Sequence, residues 1–209
     1  ANESSHTKLF GTNRAWESLY DAMQLAGGAG YLKTQPYEKR MRDFRVATIF
    51  EGTTEIHSIY PPLALARNVL KMMKANGGIF FLVNAYLRPA VMPMRSSLPD
   101  VRRALSTAKR AVRMFRRRFL MAFMRYGRSL PEKEFLLRRL TALSVNAFGI
   151  IALAAKIEHA AKNADVTGQI AALRYYREET QALLANGVPL TPDAREREHA
   201  ALFGRFKKE

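Results

Sequence analysis

The stretch AMQLAGGAGYLKTQPYEKRMRDFRVATIFEGTTEIH, residues 22–57, decides how the whole chain is read. Phe10, Trp16, Leu19, Tyr20, Met23 and Ala26 recur at helical spacing on its N-terminal side, and Gly27-Gly28 stops that helix. Pro36 opens a short helix through Tyr37 to Arg45, where its missing amide costs nothing. Val46 to Phe50 reads as a brief extended connector that Gly52 breaks. Thr53 is placed to cap the following helix, with His57 rather than a glutamate four positions on, so the cap is not a full capping box. That helix runs toward Lys74, and Pro61-Pro62 should kink or divide it by removing two amide donors.

Working outward, strand patterns are weak and helical ones abundant. Asn76-Gly77-Gly78 and the prolines at 89, 93 and 99 mark a linker over 76–99. Helical stretches are expected at 100–127, 132–162 and 166–186, with a last one near 192–206 ending in Lys207-Lys208. The fold class is therefore all-α: a helical domain over 1–75, the linker, and a second helical bundle over 100–209. The longest uncharged stretch, Leu140 to Ala155, contains Thr141, Ser144, Asn146 and Gly149. It is short and polar for a membrane span, and reads as a buried core helix.

The chain has 209 residues and no cysteine, which excludes disulfides, thiolate metal sites and cysteine nucleophiles. It begins at Ala1 with no targeting pattern after it, so a fragment or processed chain is expected. The net charge of +16 is uneven, because residues 1–75 carry ten basic and seven acidic side chains and the remainder twenty-four and eleven. A polyanionic surface is a candidate partner for the second part.

GGAGY at 27–31 is not a dinucleotide fingerprint, since a helix rather than a strand precedes it. A helix C-cap and a close approach by a ligand are both compatible with those glycines. Glu51 stands among Val46, Ile49, Phe50 and Ile56, a carboxylate in an apolar run. Either it pairs with Arg42 or Arg45, or burial raises its pKa from about 4.3 toward that of a general base. The histidines show no ligand spacing with acids, so no metal site is expected.

Three motifs follow one another here: Gln24 to Tyr31 as Q-x-x-G-G-x-G-[YF], Pro36 to Asp43 as P-x-E-[KR]-x-[ML]-R-D, and Ile49 to Thr53 as I-[YF]-E-G-T. In this order they resemble the C-terminal helical domain of the acyl-CoA dehydrogenases, flavoenzymes that desaturate acyl-CoA thioesters, over residues 5–75. The resemblance implies FAD as cofactor, acyl-CoA as substrate and electron-transfer flavoprotein as electron acceptor. It implies Glu51 as the base that removes the α-proton while a β-hydride passes to flavin N5. Phe50 would line the substrate site and Gly52 would admit substrate to the backbone. Gln24, Gly27 and Gly28 would contact the FAD of a neighbouring subunit, with Thr53 and, on a less regular match, Glu55 also at the nucleotide. The family's N-terminal helical domain and β-barrel are not among these residues, so the site implied is incomplete.

The helical extension beyond residue 75 resembles the very-long-chain branch of that family, which implies β-oxidation of long acyl chains by a membrane-attached homodimer. Between Arg102 and Arg128 lie ten basic residues and no acid. Leu105, Ala108, Val112, Phe115, Phe119, Phe123 and Tyr126 form one apolar face there. Arg110, Arg113, Arg116, Arg117 and Arg118 are the candidates for contact with an anionic membrane. A bundle helix with solvated arginines is the competing reading, and nucleic acid is disfavoured because no recognition motif accompanies the charge. The resemblance implies the mitochondrial inner membrane or matrix in a eukaryote, and the cytoplasm or inner membrane face in a bacterium. A non-catalytic docking, dimerisation or assembly module derived from the same family is the alternative function.

Overall fold

The computed structural model describes residues 2–75, 78, 96–194, 196–199 and 201. All regular structure among them is helical. The chain forms two compact units, Ala1–Pro61 and Pro62–Glu209. Most of the expected linker lies outside the described residues, as do Lys207, Lys208 and part of the expected last helix.

The first unit is built on α1 (Asn2–Leu25), which packs against α2 (Gly28–Tyr31) and α3 (Pro36–Arg45). Gly27, at φ 56°, ends α1 in a left-handed conformation that glycine adopts without steric cost. Gly30 is needed for a different reason. A Cβ there would lie 2.4 Å from the Met23 carbonyl oxygen, so only glycine lets α2 close on the end of α1. Pro36 sits in the first turn of α3, as the sequence suggests. Arg45 at its other end lies over the Trp16 ring, 5.4 Å from the centroid, and fastens α3 to α1.

Two expectations are corrected. Val46–Thr48 is a turn of 3-10 helix rather than an extended connector: Ile49 N–H donates to the Val46 carbonyl at 2.9 Å and Phe50 N–H at 3.0 Å. A helix that ends in a tightened turn satisfies carbonyls that an extended exit would leave open. Helix α4, Thr54–Ala75, runs unbroken through Pro61-Pro62. Both prolines are buried, and their fixed φ is already helical, which offsets the two donors they lack. Thr53 does cap α4, accepting from the Ile56 amide at 3.3 Å.

In the second unit α5 (Pro99–Tyr126), α6 (Glu134–Ala160) and α7 (Thr167–Asn186) pack against one another, with 3-10 helix over Gly127–Glu132 between the first two. The core is drawn from all three: Val101, Phe119, Leu137, Leu140, Ile150 and Leu173 are fully buried. Ala104, Ala108, Ala111 and Ala122 keep the buried face of α5 flat enough for close helix approach. On the expected apolar face, Leu105, Ala108, Phe119 and Phe123 are buried, while Val112, Phe115 and Tyr126 are half-buried. Helix α6 is long and apolar enough to cross a membrane, yet half of its most apolar window is buried within the protein. That burial supports a core helix.

Polar fastenings close the bundle. Arg174 donates to both oxygens of Asp100, at 3.1 and 2.8 Å, joining α7 to the start of α5. The guanidinium so close to Asp100 holds its carboxyl below the usual carboxylate range. Tyr126 Oη donates to the Leu190 carbonyl at 2.9 Å. Asp193 and Glu196 form a reciprocal capping box, Glu196 N–H to Asp193 at 2.8 Å and Asp193 N–H to Glu196 at 3.1 Å.

Candidate active site

The turn from Ile49 to Thr53, between the 3-10 helix and α4, presents Glu51. Among the described residues Glu51 is the one non-glycine with a positive φ, 52°. A side chain in that left-handed region costs about 1–2 kcal/mol, so the surrounding structure must hold it there. Gly52 follows at φ 92°, outside what an L residue tolerates easily. A Cβ on Gly52 would also come within 2.8 Å of His57 Nε2.

Side chains engage four carbonyls in and just before the turn. Thr54 Oγ1 donates to the Thr48 carbonyl at 3.3 Å, and Thr48 Oγ1 to the Arg45 carbonyl at 2.9 Å. Lys8 Nζ donates to the Phe50 carbonyl, and the same ammonium lies 4.8 Å from the Phe50 ring centroid. His57 Nε2 lies 3.2 Å from the Glu51 carbonyl oxygen, and its Nδ1 lies 2.8 Å from Ser5 Oγ. None of these links is visible in sequence spacing, since Ser5 and Lys8 lie on α1, more than forty residues from the turn.

Glu51 is exposed, and so are its apolar neighbours Val46, Ile49, Phe50 and Ile56, each about half accessible. This corrects the expectation of a buried acid. The apolar run is open on its unit, and Glu51 lies within it in sequence. The structure also gives both candidate ion-pair partners other roles, Arg42 with Glu38 at 3.2 Å and Arg45 on Trp16. Half-accessible apolar side chains such as Ile49, Phe50 and Ile56 are the kind of surface that another element covers when they lie together.

Gln24 and Gly27 line a cavity of about 300 Å³ together with Tyr20, Met23, Tyr31 and Met41. Gly28 is exposed at the start of α2, beside that cavity in sequence but not in its lining. Thr53 is half-buried with its hydroxyl committed to the α4 cap, and Glu55 is exposed in the first turn. The cavity lining includes neither Glu51 nor Thr53, so the residues singled out from the sequence fall into two places. On α5, Arg110, Arg113 and Arg117 are exposed, and Arg116 and Arg118 are half-buried.

Residues 1–59 match the family described as acyl-CoA dehydrogenase, C-terminal domain. The human mitochondrial very long-chain specific acyl-CoA dehydrogenase is 23% identical over 184 residues, 80% of this chain and 28% of that protein. An acyl-CoA dehydrogenase of Bacillus subtilis is 42% identical over 57 residues, 27% of this chain and 15% of its own length. A crystal structure of an acyl-CoA dehydrogenase complexed with FAD from Bacillus anthracis superposes with a TM-score of 0.66 at 19% identity, covering 94% of this chain and 34% of that one. The fold is therefore shared across nearly the whole chain. The chain spans little more than a quarter of the long-chain relative it matches.

Proposed function

We propose that this chain is the C-terminal part of an FAD-dependent acyl-CoA dehydrogenase acting on long-chain thioesters, with Glu51 as the α-proton base. The observation that carries the reading is a carboxylate held on a strained turn flanked by exposed apolar side chains. Covering those side chains would exclude water from Glu51 and raise its basicity at the moment of proton transfer. The parts that cover them, and most of the acyl-CoA pocket, come from outside these residues. Phe50 and Gly52 flank the carboxylate on the same turn, where a thioester would approach.

The cavity at Gln24 fits one portion of FAD rather than the whole, being at the small end of ligand pockets. The Gln24 amide offers a donor and an acceptor, and Gly27 admits a backbone or phosphate oxygen closely. By the family resemblance these residues would contact the FAD of a neighbouring subunit, with a homodimer as the working unit; that the cavity lining does not include Glu51 is compatible with this. Gly28 would support that contact, and Thr53 and Glu55 would lie nearer a second nucleotide. When bound, the flavin supplies hydride acceptance from the β-carbon, and electron-transfer flavoprotein would then receive the electrons. Glu51 takes the α-proton, and the turn keeps its carboxylate aimed.

Membrane attachment belongs to the same reading. Arg110, Arg113 and Arg117 form an exposed stripe along α5 that continues into Met121 and Met124, 46% and 52% accessible. A basic stripe passing into exposed apolar side chains suits an anionic leaflet, each arginine worth about 1 kcal/mol near it. The non-catalytic docking module remains the second reading, supported by this same stripe.

The test is spectroscopic. The full-length protein is titrated with acyl-CoAs of increasing chain length and its flavin absorbance followed. Bleaching by long-chain acyl-CoA supports the reading. A protein that holds no flavin, or one whose flavin no acyl-CoA bleaches, refutes it in favour of the docking module.

A further inference from the structure

His57 is the side chain that the proposed chemistry does not use and the geometry singles out. It lies one turn into α4, and its ring reaches back to the Glu51 carbonyl through Nε2 while Nδ1 meets Ser5 Oγ. We propose that His57, seated on Ser5, is a positioning residue that holds the Glu51 turn in its left-handed form; this rests on the reading of Glu51 as the base.

The hydrogen-bond roles follow from what each partner can do. A backbone carbonyl only accepts, so Nε2 carries the proton and donates to Glu51. In the neutral ring Nδ1 then accepts, and the Ser5 hydroxyl donates to it at 2.8 Å. Ser5 is almost completely buried, which fixes that end of the relay. The ring is thus held in one tautomer and one orientation between α1 and the turn.

Two further observations converge on the same turn. Gly52 has room only for a hydrogen against it, since a Cβ would sit 2.8 Å from Nε2. Lys8, three residues after Ser5 and so on the same side of α1, donates to the adjoining Phe50 carbonyl. Two consecutive carbonyls are therefore gripped from one helix face, Phe50 directly by Lys8 and Glu51 through His57. Among the described residues no other non-glycine carries a positive φ, and this one is the proposed base.

A carboxylate displaced by about 1 Å from its target loses on the order of a hundredfold in rate. His57→Ala in the full-length protein is therefore expected to slow flavin reduction by long-chain acyl-CoA about 10- to 100-fold, with acyl-CoA affinity and flavin content unchanged. His57→Gln, whose amide can place an N–H near the Nε2 position, is expected to recover most of the rate. His57→Asn, whose amide falls short of the Glu51 carbonyl, is not. Ser5→Ala is expected to give a smaller loss in the same step.

A second readout needs no turnover: nitrogen-15 spectra of the histidine rings in the wild-type protein at neutral pH should show His57 as the Nε2–H tautomer. Reduction by His57→Ala at the wild-type rate, equal rates for the Gln and Asn variants, or an Nδ1–H tautomer would each overturn the inference. Wild-type flavin that no acyl-CoA reduces would instead refute the base reading, and the tautomer would still decide the clamp.

Discussion

Gly52→Ala tests the strained turn most severely. Alanine at φ 92° pays for a backbone conformation that only glycine adopts freely, about 1–3 kcal/mol. Its Cβ would stand 2.8 Å from His57 Nε2, so the ring must move and its hydrogen bond to the Glu51 carbonyl is lost. Losing that bond adds about 0.5–1.5 kcal/mol. The local cost is then about 1.5–4.5 kcal/mol, much of which falls on the turn rather than on the helices. The assay is a double-mutant cycle in the full-length protein, read by denaturation midpoint and by single-turnover flavin reduction. Gly52→Ala is made alone and in a His57→Ala background. Alone it should show the whole cost and a rate loss of about a hundredfold. In the second background the steric part should vanish and the φ cost should remain. Equal effects in both backgrounds would refute the reasoning about the ring, and no effect in either would refute the strained turn itself.

The second unit yields three further expectations. The Thr141 hydroxyl is buried in α6 without a hydrogen-bond partner, so Thr141→Val should raise the denaturation midpoint of this bundle by about 1 kcal/mol equivalent. Arg174 holds the Asp100 carboxyl below its ordinary value of 3.8, so the ion pair stabilises fully above about pH 4 and is lost as pH falls through the lower folded-state value. Asp100→Asn should flatten the acid limb of a stability-against-pH curve without moving the neutral one. On the membrane question, Arg110, Arg113 and Arg117 changed together to glutamate should abolish co-sedimentation with anionic vesicles, and binding of the unchanged protein should weaken as salt rises.

The helices were legible where local signals decide them. Pro36 at the start of α3, Thr53 as the cap of α4 and the glycine stop after α1 all act within one turn of chain. The three stretches of the second bundle were legible for a related reason, since their apolar periodicity is the record of mutual burial. Pro61-Pro62 misled because a proline's local cost is visible in sequence while the burial that offsets it is not. The exposure of Ile49 and Phe50 was hidden likewise, because an apolar run does not say which molecule or segment covers it. Within the site, Glu51 stood out as a carboxylate out of place, but its support did not. Ser5 and Lys8 meet the turn only after α1 and α4 are folded, and His57 looked like a failed capping residue. The Asp193 and Glu196 box is a local signal of the same kind, D-x-x-E at the start of a helical segment.

Glu51→Gln in the full-length protein tests the central claim most directly, because glutamine keeps the size of the side chain and removes its basicity. Mixed with long-chain acyl-CoA in a stopped-flow spectrometer, the variant should bind flavin and thioester as before and reduce the flavin at least a hundredfold more slowly. Reduction at the wild-type rate would contradict the assignment of Glu51 as the base.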